Sequence, residues 1–111
     1  MAKHHNTLQK GAIRYVVFQE RDTWYAAGLE FNIVEEGDSP REAMLLLFEA
    51  IQGYVEAARK IKARPHILNQ KVDLEYEKMW TAATEQRKTK YPVFTAGQLN
   101  LTKHMQNLAV A

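Results

Sequence analysis

The sequence predicts an α+β fold: a three-stranded antiparallel meander with a long helix packed across one face, followed by a second helix and a fourth strand. Three observations lead there. Two short runs rich in β-branched and aromatic residues, 12–19 and 24–31, are separated by a polar break of hairpin length. Residues 32–36 then form a third, shorter strand closed by Gly37 and Asp38. Ser39-Pro40-Arg41-Glu42 finally combines a capping box with a proline at the first helical position, which opens a helix.

Residues 1–11 have no periodicity and end in Lys10-Gly11, so they read as a frayed arm. In the first strand Ile13, Tyr15 and Val17 share one face, while Val16 and Phe18 share the other. Both sets are apolar, so each face needs a cover. A helix serves one; the C-terminal segment or a second subunit must serve the other. Gly28, inside the second strand, marks a bulge or a close approach.

At the start of the long helix, Ser39 caps the amide of Glu42, and the Glu42 side chain returns to the Ser39 amide. Met44, Leu47, Ile51, Tyr54, Val55 and Ala58 recur at spacings of three and four, with Leu45 and Phe48 widening the stripe. The helix runs to about Lys62, because Arg64 precedes Pro65 and is pushed out of helical geometry. A second helix spans 74 to about 87, capped by Asp73 and bearing Leu74, Met79, Trp80 and Ala83, with Tyr76 beside them. Residues 91–96 read as the fourth strand, which Pro92 places at a sheet edge or a strand start. Leu101, Met105 and Leu108 allow a short helix over 102–110, with fraying the alternative.

A chain of 111 residues fits one domain, 1–111, with a core at 12–63 and a C-terminal appendage at 64–111. With 46% hydrophobic and 25% charged residues it has a globular composition, and no repeat or low-complexity tract is visible. The lack of cysteine excludes a disulfide framework, a thiolate nucleophile and cysteine-ligated zinc, and agrees with a reducing cytosol. No apolar run approaches the roughly 20 residues of a membrane span, and the polar start lacks a secretory apolar stretch. A cytoplasmic protein without a membrane partner is expected.

Charge is unevenly divided. Residues 1–58 hold five Lys/Arg against nine Asp/Glu, and residues 59–111 hold ten against four. Such polarity serves an anionic partner, or draws two copies together head to tail, or is a solvated surface. Arg59, Lys60, Lys62, Arg64 and Lys71 fall in one stretch without an acid, and are the candidate contacts for nucleic acid or another anion. Cations in the last turn of a helix also oppose its dipole, which accounts for Arg59, Lys60 and Lys62 without any ligand. Arg87, Lys88 and Lys90 repeat the pattern after the second helix.

Catalytic signals are weak. The histidines at 4, 5, 66 and 104 lack metal-ligand spacing, and the glycines are dispersed rather than gathered in a phosphate loop. Glu30, Glu35 and Glu36 lie on adjoining strands, but neighbouring acids on one strand face opposite sides, so Glu35 and Glu36 do not converge. The Ser39 hydroxyl is engaged in capping and has no nearby histidine in sequence. Ser39 and Glu42 are structural, and no catalytic, cofactor or metal residue is assigned.

The run Trp24-Tyr25-Ala26-Ala27-Gly28-Leu29-Glu30-Phe31-Asn32-Ile33-Val34-Glu35-Glu36-Gly37-Asp38-Ser39-Pro40-Arg41-Glu42-Ala43, continued by Ala50-Ile51 and Tyr54, resembles HicB-like antitoxin domains. The features shared are an aromatic and alanine-bearing second strand, a short third strand, then Gly-Asp-Ser/Thr and Glu-Ala opening the helix. With the first strand the resemblance covers residues 12–58. It implies a partial ribonuclease-H-like fold without that enzyme's metal-binding carboxylates, a homo-oligomer (dimer or higher), and a HicA-type ribonuclease toxin as partner. The sequence departs from the family where many members have Pro-Asp-Leu-Pro-Gly-Cys and it has Gly28-Leu29-Glu30-Phe31-Asn32-Ile33. Residues 66–111 show no helix-turn-helix or ribbon-helix-helix, so operator binding does not carry over.

The resulting expectation is a non-catalytic, self-associating, protein-binding module, antitoxin-like or an orphan of that family. Its rivals are a nucleic-acid-binding regulator using the basic C-terminal half, and an enzyme using the strand carboxylates.

Overall fold

The computed structural model describes residues 6–7, 11–85 and 93–100. Its elements are β1 (Ala12–Glu20), β2 (Thr23–Gly28), β3 (Ile33–Gly37), α1 (Pro40–Lys60), a single 3-10 turn (Pro65–Leu68), α2 (Leu74–Thr84) and β4 (Val93–Asn100). The strands form one antiparallel sheet in the order β3-β2-β1-β4. This is the α+β arrangement expected, with the fourth strand at an edge beside β1. The expected helix over 102–110 lies outside the described residues.

β1 and β2 meet in a tight turn closed by the Glu20 and Thr23 pair, and Arg21 takes the positive φ of 60° that two-residue hairpin turns demand. β2 is shorter than the apolar run suggests. The chain leaves the sheet after Gly28 and turns through Leu29 to Asn32, where the Asn32 amide donates to the Leu29 carbonyl at 3.3 Å and Asn32 takes φ 55°. Leu29 and Phe31 are buried on opposite sides of the sheet. Their burial gives the turn the hydropathy of a strand, while asparagine tolerates the left-handed backbone that ends it.

The two faces of β1 separate as the alternation predicts. Ile13 and Val17 join Ala26, Leu47, Ile51, Val55 and Leu68 in the core beneath α1, with Tyr15 packed against it. Val16 and Phe18 join Ala27, Leu29 and Met79 in a second core. Of the two covers foreseen for that face, the C-terminal segment supplies it, as α2 lays Met79, Tyr76 and Trp80 there. Gly28 is a close approach rather than a bulge: a Cβ there would stand 3.1 Å from Ile13 Cδ1 and 3.3 Å from Ile51 Cδ1. The irregularity of the sheet lies instead between Val17 and Phe18, opposite β4.

Four helical residues depart from expectation. Leu45 is exposed rather than part of the α1 stripe, whose buried set starts one residue earlier at Ala43. Leu74, foreseen on the buried side of α2, is 66% exposed, and Ala82 joins Met79 inside. A stripe anchored on β3 and β2 selects the residues nearest the sheet, and Leu45 falls on the far side of that arc.

α1 ends before Pro65 is reached. The Lys62 amide donates to the Arg59 carbonyl and the Ala63 amide to the Ala58 carbonyl, with Lys62 at φ 53°. That pair of bonds is a Schellman closure with lysine in the position usually held by glycine.

The N-terminal arm is pinned rather than frayed at Asn6, which is 1% exposed. Its Nδ2 donates to the Leu68 carbonyl at 2.8 Å, and its Oδ1 accepts from the Ala12 amide at 2.7 Å. Asn69 completes the joint in both directions, accepting from Asn6 N at 2.7 Å and donating to Asn6 O at 3.0 Å.

Candidate functional site

The covers on the sheet are offset. α1 lies chiefly over β3 and β2, while α2 lies over β1 and β4 on the opposite face. Each helix therefore leaves the other half of its own face less protected, and each such half adjoins an edge strand.

On the α2 side of β2 and β3, Val34 is exposed and Tyr25 is half-buried. Cross-strand pairing sets Tyr25 against Glu36 and Ala27 against Val34 on that face, while Glu35 pairs with Ala26 on the α1 face. Glu35 is half-buried and Glu36 exposed, pointing to opposite sides as the alternation requires. The β3 edge is thus short and acidic, with exposed Val34 preceding the two glutamates.

On the α1 side toward β4, where Ile13, Val17 and Leu99 are buried, the outermost side chains are aromatic and uncharged. Tyr15 meets Phe48 edge to face at 5.2 Å, and Trp24 meets Phe94 in the same way at 5.5 Å. Phe94 is 59% exposed. Burial raises the Tyr15 phenol above its ordinary pKa. Gly97 lies directly opposite Tyr15, and a Cβ there would approach the Tyr15 hydroxyl to 2.8 Å.

The structure also answers for each residue singled out in the sequence. Ser39 accepts from the Glu42 amide at 3.1 Å, as foreseen; the Glu42 carboxylate, however, accepts from the Asp38 amide at 2.6 Å. It reaches one residue beyond the Ser39 amide, toward the chain entering the helix. Ser39 and Glu42, with Arg41, Leu45, Leu46 and Glu49, line a broad hollow of about 490 Å³ on the outer side of α1.

Arg59 and Lys60 sit in the last turn of α1, Lys62 closes it, Arg64 precedes the 3-10 turn and Lys71 follows it. Lys60, Lys62, Arg64 and Lys71 are exposed; Arg59 is half-buried. His66 is exposed in the 3-10 turn, while His4, His5, His104, Arg87, Lys88 and Lys90 lie outside the described residues. Among the described residues no three His, Asp or Glu side chains gather as metal ligands would, and no helix is long and apolar enough to cross a membrane.

Glu30 has a role that strand periodicity did not reveal. Its carboxylate accepts from Arg14 Nε at 2.6 Å and from the Arg14 amide at 2.8 Å, while Arg14 Nη1 donates to Glu77 of α2 at 2.9 Å. The Arg14 guanidinium lies 5.5 Å from the centre of the Trp80 ring. Burial alone would lower the pKa of Arg14, but its hydrogen bonds and charge contacts with Glu77 and Glu30 outweigh that and raise it. The cluster ties β1, the β2–β3 turn and α2 together and commits both acids to structure. An arginine amid apolar strand residues was its only local signal; its partners lie 16 and 63 positions away.

No family model matches this sequence, and neither a curated protein nor a solved structure matches it.

Proposed function

We propose that this chain is a HicB-like, self-associating, protein-binding module that acts by docking rather than by catalysis, and that its partner is a small basic protein of the HicA toxin class. The observation that carries this reading is the acidic β3 edge, where exposed Val34 is followed by Glu35 on the opposite face and by Glu36 on its own. An added strand from a basic partner would gain main-chain hydrogen bonds along β3, a pocket contact at Val34 and opposite charges on both faces. The sequence series that resembles HicB-like domains runs through β2, β3 and the capped start of α1, so it includes this edge.

The test is inhibition of RNA cleavage by a HicA-type toxin encoded beside this chain. Wild type blocks cleavage, and Glu35→Lys with Glu36→Lys raises the concentration required by about tenfold or more. Undiminished cleavage with wild-type protein present rejects the toxin partner.

A second reading rests on the exposed cations Lys60, Lys62, Arg64 and Lys71, of which the first three run from the end of α1 to the 3-10 turn, while Lys71 lies beyond it, its carbonyl accepting from Asn32. If the chain is a nucleic-acid-binding regulator, it is retained on DNA or RNA in a salt-dependent way, and alanine at Arg59, Lys60, Arg64 and Lys71 abolishes retention.

A further inference from the structure

We infer that β4 is the surface on which two copies of this chain associate, pairing antiparallel across a twofold axis into one continuous sheet. The inference rests on the self-associating part of the proposed function and assigns that association a place.

The two edges of the sheet differ in what an identical strand would meet there. A twofold contact is isologous, so each residue faces its own counterpart or a near neighbour of it. β3 has five residues, two of them adjacent glutamates, and its full-overlap register sets Glu35 against its own copy. Like charges directly opposite repel, and charged, short edge strands are a usual defence against pairing. β4 has eight residues, Val-Phe-Thr-Ala-Gly-Gln-Leu-Asn, with no charge and no proline among them. The register shift opposite Val17 and Phe18 confines regular pairing to residues 95–100. Apart from that shift, the outer edge of β4 carries no such defence among the described residues, and an open edge of this kind is a template for another strand. The charge pattern therefore forbids self-pairing at one edge and permits it at the other.

Side-chain size agrees. A twofold axis perpendicular to the sheet brings one residue opposite its own copy, and near the middle of β4 that residue is Ala96 or Gly97. Either register opposes small side chains at the centre and sends the longer ones outward. The pairing also extends the apolar shelf beside β4. Phe94, with Trp24 of β2 against it and Tyr15 of β1 against Phe48 of α1, lies at the β4 margin of the α1 face, and in the pair each such margin continues onto the equivalent face of the other copy. Because this contact lacks charge, its strength does not depend on salt, unlike head-to-tail attraction between the acidic and basic halves.

Sedimentation of the full chain tests this. Wild type sediments at twice the 12.8 kDa chain mass, in low and high salt alike. Phe94→Lys combined with Gln98→Lys, both at exposed positions, clusters like charges about the axis and raises the dissociation constant roughly a hundredfold. The variant keeps the far-ultraviolet circular dichroism of wild type, and Glu36→Lys on the opposite edge leaves the dimer intact. Should the double variant fail to fold, amide hydrogen exchange of wild type decides: the alternate amides of β4 that face away from β1 become more protected as concentration rises. A wild-type monomer overturns the inference and self-association with it, while leaving the toxin-inhibition test standing. A dimer that persists in the double variant, dissolves with salt, or forms without concentration-dependent protection of β4 overturns only the placement on this edge.

Discussion

Asn6 shows how much one polar side chain does when it is sealed from water. Its amide group and main chain join residues that precede β1 to the 3-10 turn after α1, with Asn69 as a reciprocal partner. Gly11 is part of the same joint, since its φ of 148° and the 2.1 Å that a Cβ would leave to Asn6 Oδ1 both exclude a larger residue. Asn6→Ala strands the Leu68 carbonyl and the Ala12 amide, and the expected loss is about 2 kcal/mol in urea unfolding. The buried phenols give a second prediction. Tyr15 is raised by burial, and Tyr76 by burial and then by the charges of Asp73, Glu75 and Glu20. Below about pH 10 both phenols are protonated, folded or unfolded, and their stabilising effect is intact. As pH rises, the unfolded chain ionises first, so stability falls through the folded pKa values. The melting temperature should drop above that pH, and Tyr15→Phe with Tyr76→Phe should flatten the drop while changing little near neutrality.

Helix ends carry local chemistry that extends over only a few residues. The start of α1 was readable because Ser39, Pro40 and Glu42 act within one turn, and even the displaced Glu42 contact stays within four residues. Its end was read from Pro65, although the closure takes place at Lys62, three residues earlier. A lysine in left-handed geometry costs about 1 kcal/mol that glycine would not. Lys62→Gly should therefore stabilise the protein by about 1 kcal/mol, visible as a higher denaturation midpoint; a loss of stability would mean that the Lys62 side chain contributes more than its backbone strain costs. The extent of β2 was harder to read. Leu29 and Phe31 are as buried as strand residues, but they reach opposite cores from a turn, and hydropathy does not separate the two cases.

Across the whole molecule, the elements after residue 63 complete both cores. Leu68 fills the α1 side, Met79 the other, and Leu99 of β4 packs with the first. Arg14 then fastens α2 to the meander through Glu77 and Trp80. A fragment of residues 12–63 would leave Val16, Phe18 and Leu29 without Met79 and its neighbours, and β1 without its β4 partner. Such a fragment should unfold without a cooperative transition and bind a hydrophobic dye, whereas the full chain melts cooperatively; a sharp transition in the fragment would show that the meander and α1 suffice. The offset of the two helices is likewise a property of the assembled molecule, and it separates an acidic edge from an uncharged one.

The sequence by itself determined the elements and their order, the two-faced character of β1, the capped start of α1 and the division of charge. Each of these depends on neighbours within a turn, a hairpin or a short period, so the responsible residues stand close together in the chain. Only the tertiary structure decided that α2 covers the second face, that Asn6 is buried, that Glu30 serves Arg14, and which sheet edge is acidic and which is bare. Those outcomes join residues as far as 63 positions apart. Contacts that distant depend on how the helices cross the sheet, which no local pattern encodes.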